Sequence, residues 1–152
     1  MPLSAPNYRT FFPGLTDANH KKTSEWDISY NCIGHAAGTR EWWQAAKVTA
    51  SGIKCFWPAG VLWAKTIEAH IEAYATVGYL PCASGDLEDG IEKVALFAIG
   101  SECKHAARQL SDGKWTSKLG QHVDIAHELD ALAGDQYGKA VAFLSRPRQN
   151  AR

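Results

Sequence analysis

The clearest hydrophobic pattern runs from Thr66 to Val77. Ile67, Ile71, Tyr74 and Val77 recur at helical spacing, and Glu68 and Glu72 fall off that stripe. Thr66 is an N-cap and Gly78 a natural C-cap, so the spacing predicts a helix. Tyr79 to Cys82 reads as a short strand, and Ala83 to Gly90 as a polar loop bounded by glycine. The period then becomes extended. Lys93 to Ile99 is continuously apolar after its first residue, which suits a central strand covered on both faces. His105 to Leu110 is the next strand, Ser111-Asp112-Gly113 a hairpin turn, and Lys114 to Gly120 the return strand. Ile125, Leu129 and Leu132 repeat at helical spacing, which predicts a short helix over 124–133, closed by Gly134. Gly138 to Leu144 is a last strand.

The first third is less regular. Residues 1–23, with Pro2, Pro6 and Pro13, read as an extended arm held by Tyr8, Phe11 and Phe12. The polar run 24–29 leads into Tyr30-Asn31-Cys32, followed by small residues up to Gly38. Asn31 is an N-cap candidate, so Cys32 falls in the first turn of a short helix. A helix start stabilises an anion and lowers a thiol's pKa there. Packing is the ordinary role of such a cysteine. A helical turn at 41–43 and an irregular stretch over 47–60 follow. The expected organisation is an arm (1–23), one domain (24–146) and a basic tail (147–152), in an α+β layout.

Composition narrows the function classes. The chain has 152 residues, enough for a domain with a real core, and 45% of them are hydrophobic. Its 16 basic and 16 acidic side chains balance, so no general nucleic-acid or anionic-membrane partner is expected. No apolar run reaches the roughly 18 residues a membrane span needs. The start, Met1-Pro2-Leu3-Ser4, lacks a secretion signal, so a cytoplasmic location is expected, with signal-independent export as the alternative. Cys32, Cys55, Cys82 and Cys103 show no metal-ligand spacing and read as free thiols, so no metal or cofactor is expected. An Asp/His site at His122, Asp124 and His127 is the minor metal reading.

A Cys at a helix start, followed at this distance by a His on an antiparallel strand, resembles the papain-like cysteine hydrolases. That superfamily includes cysteine peptidases, bacterial cell-wall amidases and transglutaminase-like enzymes. Tyr30-Asn31-Cys32 is similar to the nucleophile segment of its small bacterial members. His105-x-x-Arg108-Gln109 with Asp112-Gly113-x-Trp115-x-x-Lys118-x-Gly120 is similar to their His-bearing hairpin. The resemblance covers about residues 26–127. It implies N-terminal helices carrying the Cys, packed on a small antiparallel sheet carrying the His. It also implies Cys32 as nucleophile and His105 as base, acting on a peptide-like amide. The third polar residue of the family is missing from 114–120, and Asp124 is the nearest carboxylate after it. No certain oxyanion-hole Gln precedes Cys32, so Asn31 and the Cys32 N–H are assigned there. His35, Trp43 and Ser117 are expected to line the site. Arg108 and Lys118 suit either an acidic substrate or cross-strand ion pairs. The expected function is a thiol hydrolase or acyl transferase; the alternatives are an inactive binding module and a toxin or effector using the same site.

Overall fold

The computed structural model describes residues 11–25, 27–119 and 123–149. One seven-stranded antiparallel sheet dominates it. The strands are β1 (His20–Lys22), β2 (Leu80–Cys82), β3 (Ile91–Ile99), β4 (Glu102–Gln109), β5 (Trp115–Lys118), β6 (Asp124–His127) and β7 (Lys139–Pro147). Their order across the sheet is β1-β6-β5-β4-β3-β7-β2. Among the described residues two helices precede β2: α1 (Cys32–Ala36) and α2 (Ile67–Ala75). The expected papain-like α+β arrangement is therefore corrected. The sheet is larger than expected, and its helical cover is only five and nine residues long. No helix among the described residues is long and apolar enough to cross a membrane. Tyr8, Gly120, His122 and the end of the basic tail (150–152) lie outside the described residues.

β3 is the central strand that its apolar run predicts. It pairs with β4 on one side and β7 on the other, and Val94, Ala95 and Leu96 are fully buried. The β4–β5 hairpin also forms where its turn residues place it. Leu110 N–H bonds Lys114 O at 2.7 Å, and Asp112 Oδ1 accepts the Lys114 N–H at 2.9 Å.

Three stretches differ from expectation. The helical turn expected at 41–43 is extended instead, with Trp43 bridged to Phe56. The predicted helix over 124–133 is a strand, β6, followed by a single 3-10 turn at Leu129–Leu132. The helical spacing of Ile125, Leu129 and Leu132 is real, but pairing to β5 and β1 satisfies the backbone of Asp124 to His127 as a strand. Part of the predicted arm is edge strand β1, and Phe12 and Leu15 pack into the core.

The sheet carries a core on each face. The first contains Ile33, Ala36, Tyr74, Leu96, Cys103 and Ala106, and both helices cover it. The second contains Phe12, Ala95, Phe97, Ala107, Trp115, Ile125 and Leu132. The β3–β4 register shifts between Phe97 and Ala98: Phe97 faces His105, while Ala98 faces Cys103. Lys104 is the extra residue of this bulge, so Cys103 and His105 fall on opposite faces despite being two apart.

α1 is fixed from outside. Asn31 Oδ1 accepts N–H bonds from Gly34 (3.0 Å) and Trp43 (2.9 Å), while its Nδ2 donates to Trp43 O at 2.8 Å. Tyr74 Oη donates to Ile33 O at 2.8 Å. Gly34 lies so close to the 41–43 segment that a Cβ there would collide with the Glu41 carbonyl oxygen. Gly34→Ala is expected to lower stability by about 3 kcal/mol in urea denaturation, since backbone must move on both sides of the contact. A loss well under about 1 kcal/mol would show that this approach is not tight.

Candidate functional site

The sheet sorts the expected site residues into two groups. On the first face Cys32 begins α1 and packs against the cluster that holds Cys103 and Ala106. Burial pushes its thiol up to about 11, although the N–H groups of Ala106 and Ile33 act in the opposite direction. The helix start is present, but five residues of helix and a desolvated sulfur do not make a thiolate. Cys103 is pushed up to about 12, again mainly by burial.

Beside Cys32 lies a polar constellation built by α1, β5 and β6. His35 Nε2 lies 2.9 Å from Thr116 Oγ1, and its Nδ1 lies 3.8 Å from Asp124 Oδ2. Tyr30 Oη donates to that same Asp124 oxygen at 2.7 Å. Lys118 sits opposite Asp124 in the β5–β6 register, with its Nζ 4.8 Å from the centre of the Tyr30 ring. The Arg40 guanidinium lies 4.6 Å from that ring centre. Burial holds His35 well below the ordinary histidine range; Asp124 opposes this, and Arg108, Lys118 and Arg40 reinforce it. His35 Nε2 is engaged by Thr116, while the 3.8 Å from Nδ1 to Asp124 is an approach of charges and not a hydrogen bond.

The second face holds His105. Its ring stacks on Tyr137 at 3.9 Å between centroids and meets Phe97 edge-on at 5.3 Å. Its Nε2 lies 2.9 Å from Ser117 Oγ, and Ser117 Oγ lies 2.7 Å from His127 Nε2. His127 Nδ1 lies 2.6 Å from the Glu128 carbonyl oxygen, which can only accept. His127 Nδ1 is therefore protonated, and its Nε2 accepts the Ser117 hydroxyl proton. Ser117 in turn accepts from His105 Nε2–H. That leaves His105 Nδ1 as a buried lone pair without a hydrogen-bond partner. A serine hydroxyl donating to a histidine is the first half of a nucleophile–base pair. Ser117, His105 and His127 are all fully buried, however, so no substrate reaches them here.

The structure thus brings Cys32, His35 and Asp124 to one face and sets His105 and Ser117 on the other. Asp124 bonds Tyr30 and approaches His35, not His105. Asn31 is spent as the α1 cap, and Trp43 is buried core. Among the described residues no group of His, Cys, Asp and Glu has a metal-binding arrangement; the His122 part of that expectation lies outside them. Tyr30, Thr116 and Arg40 are members of the first-face cluster not assigned a site role from sequence. Thr116 and Lys118 share a strand face with Asp124 opposite, which is the pattern that could have revealed Thr116.

Residues 21–145 match a family described as a domain of unknown function, DUF7689. The chain belongs to that family. The DUF7689 span runs from β1 to β7 and includes both polar networks. No curated protein and no solved structure matches the chain.

The histidines give this domain a pH dependence. Burial holds His127 at about 4, against an ordinary value of 6.5. The unfolded chain therefore binds more protons than the folded one between those values, and stability rises with pH there. His127 is expected to contribute on the order of 1–3 kcal/mol of this, fully present above pH 6.5 and lost as pH falls toward 4. His127→Gln should flatten the slope of melting temperature against pH across that window. An unchanged slope in a folded variant would show that His127 does not titrate as assigned.

Proposed function

We propose that this DUF7689 domain is a binding module in which Cys32 is a packing residue and not a nucleophile. One observation carries the reading: Cys32 packs on the α1 face of the sheet, while the His105 ring packs on the opposite face against Tyr137 and Phe97. A Cys–His pair acts through a hydrogen bond between sulfur and imidazole. Here α1 packs directly on β4, but the His105 ring projects to the far face of the sheet. The first-face alternative, His35, engages Thr116 through Nε2, and burial holds it well below the ordinary histidine range, so it is a weak base. A thiol at about 11 is protonated at neutral pH and is a weak nucleophile.

The exposed surface suits recognition. Phe56, Leu62 and Trp63 stand 40–57% exposed on the irregular segment between α1 and α2. Large aromatic side chains held outside the core are the usual anchors of a binding surface. The second reading, a thiol hydrolase or acyl transferase, is favoured by the N–H groups of Ala106 and Ile33 beside the sulfur, which suit a developing anion.

Alkylation kinetics separate the two. With iodoacetamide at pH 7.5, Cys32 should react roughly two orders of magnitude more slowly than an ordinary exposed thiol, from its smaller thiolate fraction alone. Cys55 and Cys82 should be labelled first, as read by peptide mass spectrometry. Preferential labelling of Cys32, with a rate midpoint below pH 8, would overturn the binding-module reading and restore the nucleophile.

A further inference from the structure

On the first face, beyond the His35 cluster, a cleft of about 510 Å³ opens between the end of α1, the end of α2 and the β3, β4 and β7 strands. Gly38, Val77, Glu92, Arg108, Arg146 and Gln149 line it. Two of its three charged side chains are committed to each other. Glu92 Oε2 accepts from Arg146 Nε at 3.0 Å, Arg146 Nη2 at 2.8 Å and Tyr79 Oη at 2.8 Å. Glu92 Oε1 accepts the Gln149 backbone N–H at 3.2 Å. Arg146 also donates Nη1–H to Val77 O at 2.6 Å, and its guanidinium lies 4.3 Å from the Tyr79 ring centre. Glu92 is thereby saturated, and Arg146 is neutralised and clamped.

Arg108 has no such partner. It stands on β4 between Val94 of β3 and Thr116 of β5, facing the helices. Its Nε is buried without a hydrogen bond, and no carboxylate pairs with it among the described residues. The ordinary explanation of a strand arginine, a cross-strand ion pair, is thus absent. A buried guanidinium nitrogen left unpaired is costly, which makes it a place where a ligand gains. The cleft carries one uncompensated positive charge, presented as a planar fork that matches a carboxylate with two parallel bonds. One charge suits a monoanion better than a phosphate dianion. The cleft volume exceeds what a carboxyl group alone fills and lies in the range of ligand pockets.

We propose that this cleft is a carboxylate-binding site in which Arg108 is the recognition residue. Its occupant is either a small carboxylic acid or the free C-terminus of a peptide. The inference rests on the binding-module reading for the use of the cleft. It fails separately, because Cys32 alkylation does not report on Arg108.

The test is an amide-resolved NMR titration of the full chain with acetate, N-acetyl-dialanine, the C-terminal amide of that dipeptide, and inorganic phosphate. Acetate or N-acetyl-dialanine should shift the Gly38, Val77 and Gln149 amides, while the capped dipeptide leaves them in place. Tighter binding of the dipeptide than of acetate assigns the site to a chain terminus; equal binding assigns it to a small acid. Arg108→Gln should weaken binding by at least about tenfold, the loss of a charge-assisted pair. If that variant does not fold, the comparison of free and capped dipeptide on the natural chain carries the test. The proposal is overturned by no response at the cleft, by equal response to the capped dipeptide, by tighter binding of phosphate, or by unchanged affinity in a folded Arg108→Gln.

Discussion

The one-residue register shift between Phe97 and Ala98 decides which chemistry lies on which face of the sheet. A strand has a period of two, so a single inserted residue transfers everything beyond it to the other side. Before the bulge Cys103 points toward α1; after it His105 points away and Ala106 takes the place beneath the helix. The mostly apolar surface under α1 depends on that shift. So does the closed chain of His105, Ser117 and His127 on the far side.

The two polar networks have different characters. The far-side chain has its proton positions fixed by one carbonyl, Glu128 O, and is sealed in aromatic and aliphatic packing. The near-side group is ionic: Lys118, Arg40 and Arg108 surround His35, and Asp124 answers them through Tyr30 and His35. Burial holds His35 neutral, and the excess of cations over carboxylates there reinforces this and leaves Arg108 unanswered. The same imbalance that adds to the effect of burial on His35 favours an anion next to it.

Much of this was legible in the chain. The run 93–99 announced a doubly covered strand, Asp112-Gly113 announced the hairpin, and Thr66 and Gly78 bracketed α2. Asn31 was legible as a cap, and Cys32 as the first residue of its helix. β6 was not, because Ile125, Leu129 and Leu132 fit a helix as well as their local strand and turn; only the neighbours β5 and β1 decide between them. The facing of His105 was hidden for a different reason. Sequence alternation counts residues, and a bulge breaks the count without any mark in composition. The resemblance to papain-like hydrolases captured the order of Cys helix and His hairpin, but not the side of the sheet from which each group projects.

The edges of the sheet carry one more consequence. Each outermost strand, β1 and β2, is only three residues long. β1 brings Lys21 and Lys22 to its rim, and β2 contains Pro81, which has no N–H to offer. Short, charged and proline-bearing borders resist the addition of a further strand from another chain. The seven-stranded sheet is thus a closed platform in its own plane. On the binding-module reading, a partner approaches across its faces or loops, by side-chain contact, and not by lengthening the sheet.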